Sequence, residues 1–263
     1  MPVLGTVEPI HGALDDADTL ARLLRGVDTI IHFAAITHAA RTEDYLDVNS
    51  RGTEQLARAA ARAGVSRFIH ISTRAIHPDC GAYGMSKRLA EDAVRAHGVP
   101  HVILRLAEVY GTGSREGIDA LLRLVRDWPV VPYPAGPVSL APVLLDDALA
   151  AAVRALERPT LVDVTYTIAG PRTFTLPELI QTAAAVFGVR RLGVAVPLTA
   201  VAAMSRLASA LGHAIIELDQ IPRLTCPKDS RIDAARRDLG FAPTGFQDGL
   251  RRVVQERTLP GEF

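Results

Sequence analysis

The chain has 263 residues, 48% of them hydrophobic, enough to bury one large domain or a domain and a half. Its 29 basic and 29 acidic residues cancel, with a sequence pI near 7.1, which excludes a basic field for nucleic acid and a disordered acidic tail. Two cysteines, Cys80 and Cys226, are too few for a disulfide framework and fit a reducing cytoplasm. Neither a secretory leader nor a membrane-long apolar run is legible, so a soluble cytoplasmic protein is expected.

In chain order, residues 6–10 read as a short strand, Asp15 or Asp16 caps a helix to about Arg25, and Thr29 to Phe33 form a strand entering Ala34-Ala35. A helix from about Thr42 to Ala63 stops at Gly64, and Phe68 to Ile71 is a buried-strand run ending in Ser72 and Thr73. A helix follows from Tyr83 to His97, then a strand from His101 to Leu106. This alternation predicts an α/β parallel sheet covered on both faces, with ligands outside the carboxyl ends of the strands. Beyond Thr112 the texture changes. Helices are expected at 117–127, 144–157, 175–187, 198–211 and 246–256, with a strand at 164–168 returning to the sheet and a Pro/Gly-rich stretch at 128–142. The resulting division is a dinucleotide-binding core over 1–170, with 113–160 contributing to the substrate region, and a smaller, mostly helical substrate region over 171–263.

Tyr83 and Lys87 stand four residues apart, one helical turn on one face. A phenol beside an ammonium is a proton-transfer device, because the positive charge favours phenolate. Only two lysines, Lys87 and Lys228, occur among the 29 basic residues, so a titratable cation is kept here in a chain that otherwise uses arginine. Thr73 adds a hydroxyl at the end of the preceding strand. Gly111-x-Gly113-x-x-x-Gly117 follows a strand but has the wrong spacing for a phosphate loop and reads as a turn. The eight histidines show no metal-ligand spacing.

Five segments carry a resemblance: Ile31-His32-Phe33-Ala34-Ala35, Val48-Asn49-Ser50-Arg51-Gly52-Thr53, Phe68 to Thr73, Tyr83 to Lys87, and Arg105 to Gly111. In order and rough spacing the chain resembles the extended short-chain dehydrogenase/reductases, the NAD-dependent epimerase/dehydratase family. The likeness continues through Leu144 to Ala148, Tyr166 to Gly170 and Leu239 to Pro243. The resemblance implies a Rossmann-like doubly wound sheet binding NAD or NADP, with Tyr83 as general acid/base and Thr73 on the reacting oxygen. Lys87 would hold the ribose hydroxyls and tune Tyr83. Ala34, Ala35, Asn49 and Ser72 would meet the cofactor, and Glu108 the substrate, a sugar nucleotide or similar polyol. Family dimers built on the two helices at 42–63 and 83–97 imply a homodimer; Leu46, Ala57, Ala60 and Ala61 either pack in it or face the chain's own sheet.

Three departures narrow this reading. Arg74 and Ala75 follow Thr73 where the sugar-nucleotide 4,6-dehydratases place an acidic pair, which disfavours water elimination. Glu108 replaces an asparagine, and either binds a substrate hydroxyl or pairs with a nearby arginine. No strand, glycine-rich turn, helix and second strand precede these elements, so the pyrophosphate cradle is missing and cofactor affinity is expected to be weak. A non-catalytic ligand- or partner-binding remnant is therefore the competing expectation. In the family's strand order, a strand at 6–10 would either slide in beside 29–33 or stand about 10 Å away across two vacant places.

Overall fold

The computed structural model describes residues 7–39, 41–111, 113–114, 116–200 and 220–258. Its strands are β1 Thr29–His32, β2 Arg67–Thr73, β3 His101–Leu106, β4 Val109–Tyr110, β5 Val130–Pro134, β6 Val143–Leu144, β7 Val164–Ile168 and β8 Leu192–Val196. The helices are α1 Ala17–Leu23 and a rod over 42–63, α2, made of Thr42–Tyr45, a π-helical stretch Leu46–Arg51 and Gly52–Ala63. They continue with α3 Gly81–Ala96, α4 Gly117–Asp127, α5 Leu145–Leu156, α6 Leu176–Phe187, α7 Gln220–Thr225, α8 Asp233–Leu239 and α9 Phe246–Thr258.

Four strands form one parallel sheet in the order β1-β2-β3-β7, with His32 opposite His70, Thr73 opposite Leu106 and Leu106 opposite Ile168. Their sequences are short apolar runs because helices cover both faces, and six of the seven β2 residues are buried. Phe68, Ile69, Ile103 and Ile168 are fully enclosed, each contributing about 1.5–3 kcal/mol by leaving water. Local signals set the helix ends. The Asp16 carboxylate accepts from the Asp18 and Thr19 amides at the start of α1, and Thr175 with Glu178 closes a capping box on α6. Gly64 ends α2 with φ +72°, a left-handed conformation that a side chain would strain.

The C-terminal part contributes to both layers. Ile232, Ala235, Leu239 and Phe241 pack with α5 against β2, β3 and β7, and the Tyr166 hydroxyl donates to Asp238 at 3.2 Å. A second core joins α4, α6 and α9 around Tyr110, Leu179, Ile180 and Leu250. It flanks two parallel pairs, β4–β6 and β5–β8, that the Pro/Gly-rich sequence did not announce. Of the helix expected at 198–211, residues 198–200 are helical and the rest lie outside the described residues. No helix among the described residues is long and apolar enough to cross a membrane.

Two expectations are corrected. Residues 7–10 are not a strand, while residue 6 lies outside the described residues. Pro9 has no amide to donate to a ladder, and Val7 is 82% exposed. The slide and the gap arguments therefore both fall, and β1 is an edge strand with no outer neighbour among the described residues. Second, Cys80 and Cys226 are joined in a disulfide, with Cα atoms 5.1 Å apart across 146 residues. Of the positions offered for a dimer, Ala57 and Ala60 pack with Leu20, Leu24 and Phe68 in the chain's own core.

Under this sheet lies a pair of buried histidines. His70 is fully buried, stacks on His32 at 5.4 Å, and neither ring nitrogen has a hydrogen-bond partner among the described residues. Burial first, then the Lys87 charge, pushes the His32 pKa down to about 4 and holds His70 well below the ordinary range. Both folded values lie below the unfolded value near 6.5, so the unfolded chain binds protons first as pH falls. Their stabilisation is complete above pH 6.5 and drains away below it, for His32 alone by about 3 kcal/mol down to pH 4. Denaturant unfolding of His70→Leu should give a flatter pH dependence than the parent, with the gain larger at pH 5 than at pH 7.5. Parallel curves would refute the assignment.

Candidate active site

The carboxyl ends of β1, β2 and β3 bring the site together, each through a different device. At β1 the device is Asn49. The π-helical turn of α2 directs its buried amide to the segment after β1, where Oδ1 accepts from the Ile36 amide at 2.8 Å. Its Nδ2 donates to the Ile36 carbonyl at 3.0 Å and to Ser86 Oγ at 3.1 Å on α3. Asn49 thus clamps the turn that presents Ala34, which is exposed, and Ala35, which is half-buried.

At β2, Thr73 Oγ1 accepts from the Ala75 amide at 3.2 Å, and its hydroxyl stands close enough to the Tyr83 phenol to favour the phenolate. Helix α3 comes this close because residue 84 is glycine. A Cβ there would stand 2.5 Å from the Ala75 carbonyl oxygen and 2.6 Å from Cys80 Cβ. The half-buried Tyr83 ring packs edge-on to Tyr45 at 5.9 Å, and the Arg223 guanidinium lies 5.1 Å from its centroid. Burial raises the phenol pKa, opposed first by the Arg223 charge and then by the nearby Thr73 hydroxyl. Lys87 takes another direction. It is 2% exposed, and its Nζ donates to the Ile71 carbonyl at 2.8 Å. Burial lowers its pKa to about 8 while Glu91 opposes. The cation that faces the Tyr83 ring among the described residues is Arg223, on a helix 140 residues further along, while the Lys87 ammonium is turned to the Ile71 carbonyl.

Ser72 points to the helix side of the sheet. Its Oγ donates to the buried Glu91 at 2.6 Å, leaving only its backbone for a cofactor. Burial pushes the Glu91 carboxyl up, but bonds from Arg105, Ser72 and Arg95 outweigh it and hold it below the ordinary range.

At β3, Glu108 takes its arginine alternative. Oε2 accepts from Arg74 at 2.6 Å and the Ala141 amide at 3.1 Å, and Oε1 from Lys228 at 3.3 Å. Burial raises its pKa, and the Arg74 and Lys228 charges more than reverse that. With both oxygens engaged, the substrate-hydroxyl role for Glu108 gives way to a structural one. Arg74 also donates to the Ser139 carbonyl and to Ser230 Oγ. Lys228 also caps α7 through the Arg223 and Leu224 carbonyls. Arg74, Arg223 and Lys228 escaped the sequence reading; of these only Lys228, the second of two lysines, left a countable trace.

Beside this network opens a polar cleft of about 520 Å³, lined by residues that include Ser139, Thr173, Arg172, Lys228, Ser230 and Arg231. A groove of about 630 Å³ between α1 and α2 is lined by Leu20, Leu24, Ala59 and Arg62 among others, away from the phenol. No cluster of metal-ligating residues occurs among the described residues. The turn at Gly111 and Gly113 is closed by the Asp119 carboxylate, which accepts both amides, so it offers no phosphate cradle. For a dinucleotide, the strand ends fit the nicotinamide and ribose half: an open Ala34-Ala35 turn, the Tyr83 phenol and a buried lysine. A glycine-rich turn entering a helix from this sheet ahead of β1 is not found among the described residues.

The model of the NAD dependent epimerase/dehydratase family matches residues 3–169. A ceramide reductase of Caulobacter vibrioides is 34% identical over 185 residues, covering 70% of this chain and 58% of the reductase. A UDP-glucose 4-epimerase of Vibrio cholerae is 23% identical over 262 residues, covering 88% and 77%. Among solved structures, the dTDP-glucose 4,6-dehydratase DesIV of Streptomyces venezuelae, with NAD and DAU bound, superposes with TM-score 0.72 at 26% identity, covering 95% of this chain and 79% of that one. MoeE5 in complex with UDP-glucose and NAD gives TM-score 0.73 at 21% identity, covering 95% and 85%; this likeness speaks to the fold.

Proposed function

Since this chain belongs to the NAD dependent epimerase/dehydratase family, we propose that it is an NAD(P)-dependent epimerase or oxidoreductase acting on a nucleotide sugar or similar polyol. The observation that carries the reading is the Thr73 hydroxyl beside the Tyr83 phenol at the end of β2, one helical turn from a buried Lys87. Bound NAD(P) supplies the hydride acceptor and donor. Ala34 and Ala35 would let it approach the backbone, and Lys87 would reach its ribose hydroxyls with the N–H groups not given to Ile71. Thr73 holds the reacting substrate oxygen while Tyr83 moves its proton. Burial keeps the phenol protonated at neutral pH, which suits donation to a carbonyl oxygen. Oxidation of an alcohol needs phenolate, so the oxidative rate should rise into the alkaline range.

Several features narrow the chemistry. A carboxylate pair free for water elimination is lacking, because Arg74 follows Thr73 and locks Glu108. Epimerisation or simple reduction is therefore favoured over dehydration. The cleft's arginines, serines and threonine suit a phosphorylated or polyhydroxylated substrate. Reduction of a lipid ketone is the second reading, favoured by the 34% identity to a ceramide reductase that the chain spans for 58% of its length.

The test incubates the chain and NAD(P) with a panel of nucleotide sugars, and in parallel NAD(P)H with ketosphingoid lipids, reading nicotinamide absorbance and C4 epimer by NMR. Turnover only on the lipid would overturn the sugar reading. Turnover of neither class, at millimolar cofactor, would return the chain to the non-catalytic binding protein.

A further inference from the structure

We infer that Arg223 is a positioning residue for Tyr83, and that the Cys80–Cys226 disulfide is a clasp that holds it there and can be opened by a dithiol. Helix α7, which carries Arg223, has six residues, too few to persist alone, and it makes no strand pairing with the sheet. Among the described residues, Leu224 packs it on the second core, and four contacts tie it to the catalytic corner. Cys226, just past its end, is bonded to Cys80, the N-cap position of α3, three residues before Tyr83. Pro222 packs on Gly81, where a Cβ would stand 3.2 Å from it, and Gly81 holds φ +73°, so the contact needs a glycine twice over. The Arg223 guanidinium donates to the Thr37 carbonyl at 3.1 Å, on the loop that follows β1. Lys228 caps the helix and ties it to Glu108.

The groups around Tyr83 make Arg223 the charge that acts on it. From α2 comes the uncharged Tyr45 ring, and from β2 the Thr73 hydroxyl. On its own helix the Lys87 ammonium is turned to the Ile71 carbonyl, and Glu91 one turn further is neutralised by Arg105 and Arg95. The Arg74 and Lys228 charges close on Glu108. Among the described residues Arg223 is the cation over the ring, and its positive charge favours the phenolate against burial.

Opening the clasp is thiol–disulfide exchange reached when α7 lifts, since Cys80 is fully buried and Cys226 nearly so. A dithiol attacks one sulfur, a mixed disulfide forms, and its second thiol closes the reagent's own disulfide. The reagent loses two electrons, and Cys80 and Cys226 each gain one electron and one proton. The Lys228–Glu108 pair and the sheet core survive, so the expected consequence is a loosened α7 rather than an unfolded chain.

The functional consequence rests on the catalytic reading of Tyr83, but the test does not use turnover. Oxidised chain, dithiothreitol-reduced chain, Cys226→Ser and Arg223→Gln are compared by amide hydrogen exchange. Each is also compared by ultraviolet titration of tyrosine, with Tyr83→Phe subtracted to isolate residue 83. We expect reduction and Cys226→Ser to speed exchange at 220–226 at least tenfold while β2 and β3 stay protected. Both should move the Tyr83 titration to higher pH, and Arg223→Gln should do the same with the disulfide intact. Unchanged exchange at 220–226, or loosening spread equally over the sheet, overturns the clasp. An unmoved Tyr83 titration in Arg223→Gln overturns the positioning role. These shifts in a chain without turnover would sink the catalytic reading and support this one.

Discussion

Tyr83→Phe is expected to lower kcat about 10²–10⁴-fold, the usual contribution of a positioned general acid/base, with the fold intact. The substitution removes one hydroxyl beside Thr73, while the ring keeps its packing on Tyr45 and under Arg223. Stability should therefore move by no more than about 1 kcal/mol, the worth of one partly exposed hydrogen bond. Lys87→Met is the informative contrast. It removes a buried ammonium and strands the Ile71 carbonyl, so it should weaken cofactor binding and stability together. Steady-state kinetics beside denaturant unfolding separate the two patterns. A Tyr83→Phe enzyme retaining a tenth of parental kcat would remove Tyr83 from the chemistry.

Calorimetry on the 263 residues by themselves is expected to give millimolar or weaker binding of NAD(H) and NADP(H). The residues proposed for the nicotinamide half stand at the strand ends, but no glycine-rich turn among the described residues offers amides to the pyrophosphate. Each such charge-assisted bond is worth about 1.5–3 kcal/mol, so two or three of them correspond to a loss of a hundredfold or more. The glycine turn at Gly111 and Gly113 already gives its amides to Asp119. Micromolar affinity would show that other backbone donors take over, with the open edge of β1 the first place to look.

What the sequence determined by itself were the features written inside single elements. The apolar runs at 67–73, 101–106 and 164–168 are strands because a parallel sheet buried on both faces needs that composition. Thr175 with Glu178 fixes the start of α6, and Gly64 fixes the end of α2, through side-chain and backbone geometry within a few residues. The Tyr83–Lys87 spacing survives as a helix face for the same reason. Only the tertiary structure decided the rest. Val7 to Ile10 looked like a strand, but a strand exists by pairing, and Pro9 weakens any pairing on offer. Ser72 and Thr73 are sequence neighbours, yet strand alternation sends one to Glu91 and the other to Tyr83. Glu108 had two open partners until the fold set Arg74 on one side of it and Lys228 on the other. The Cys80–Cys226 bond and the Arg223 contact with Tyr83 join residues 146 and 140 positions apart. Neither leaves a local pattern, because periodicity and capping act over a few residues, whereas these contacts come from how α7 packs on the start of α3.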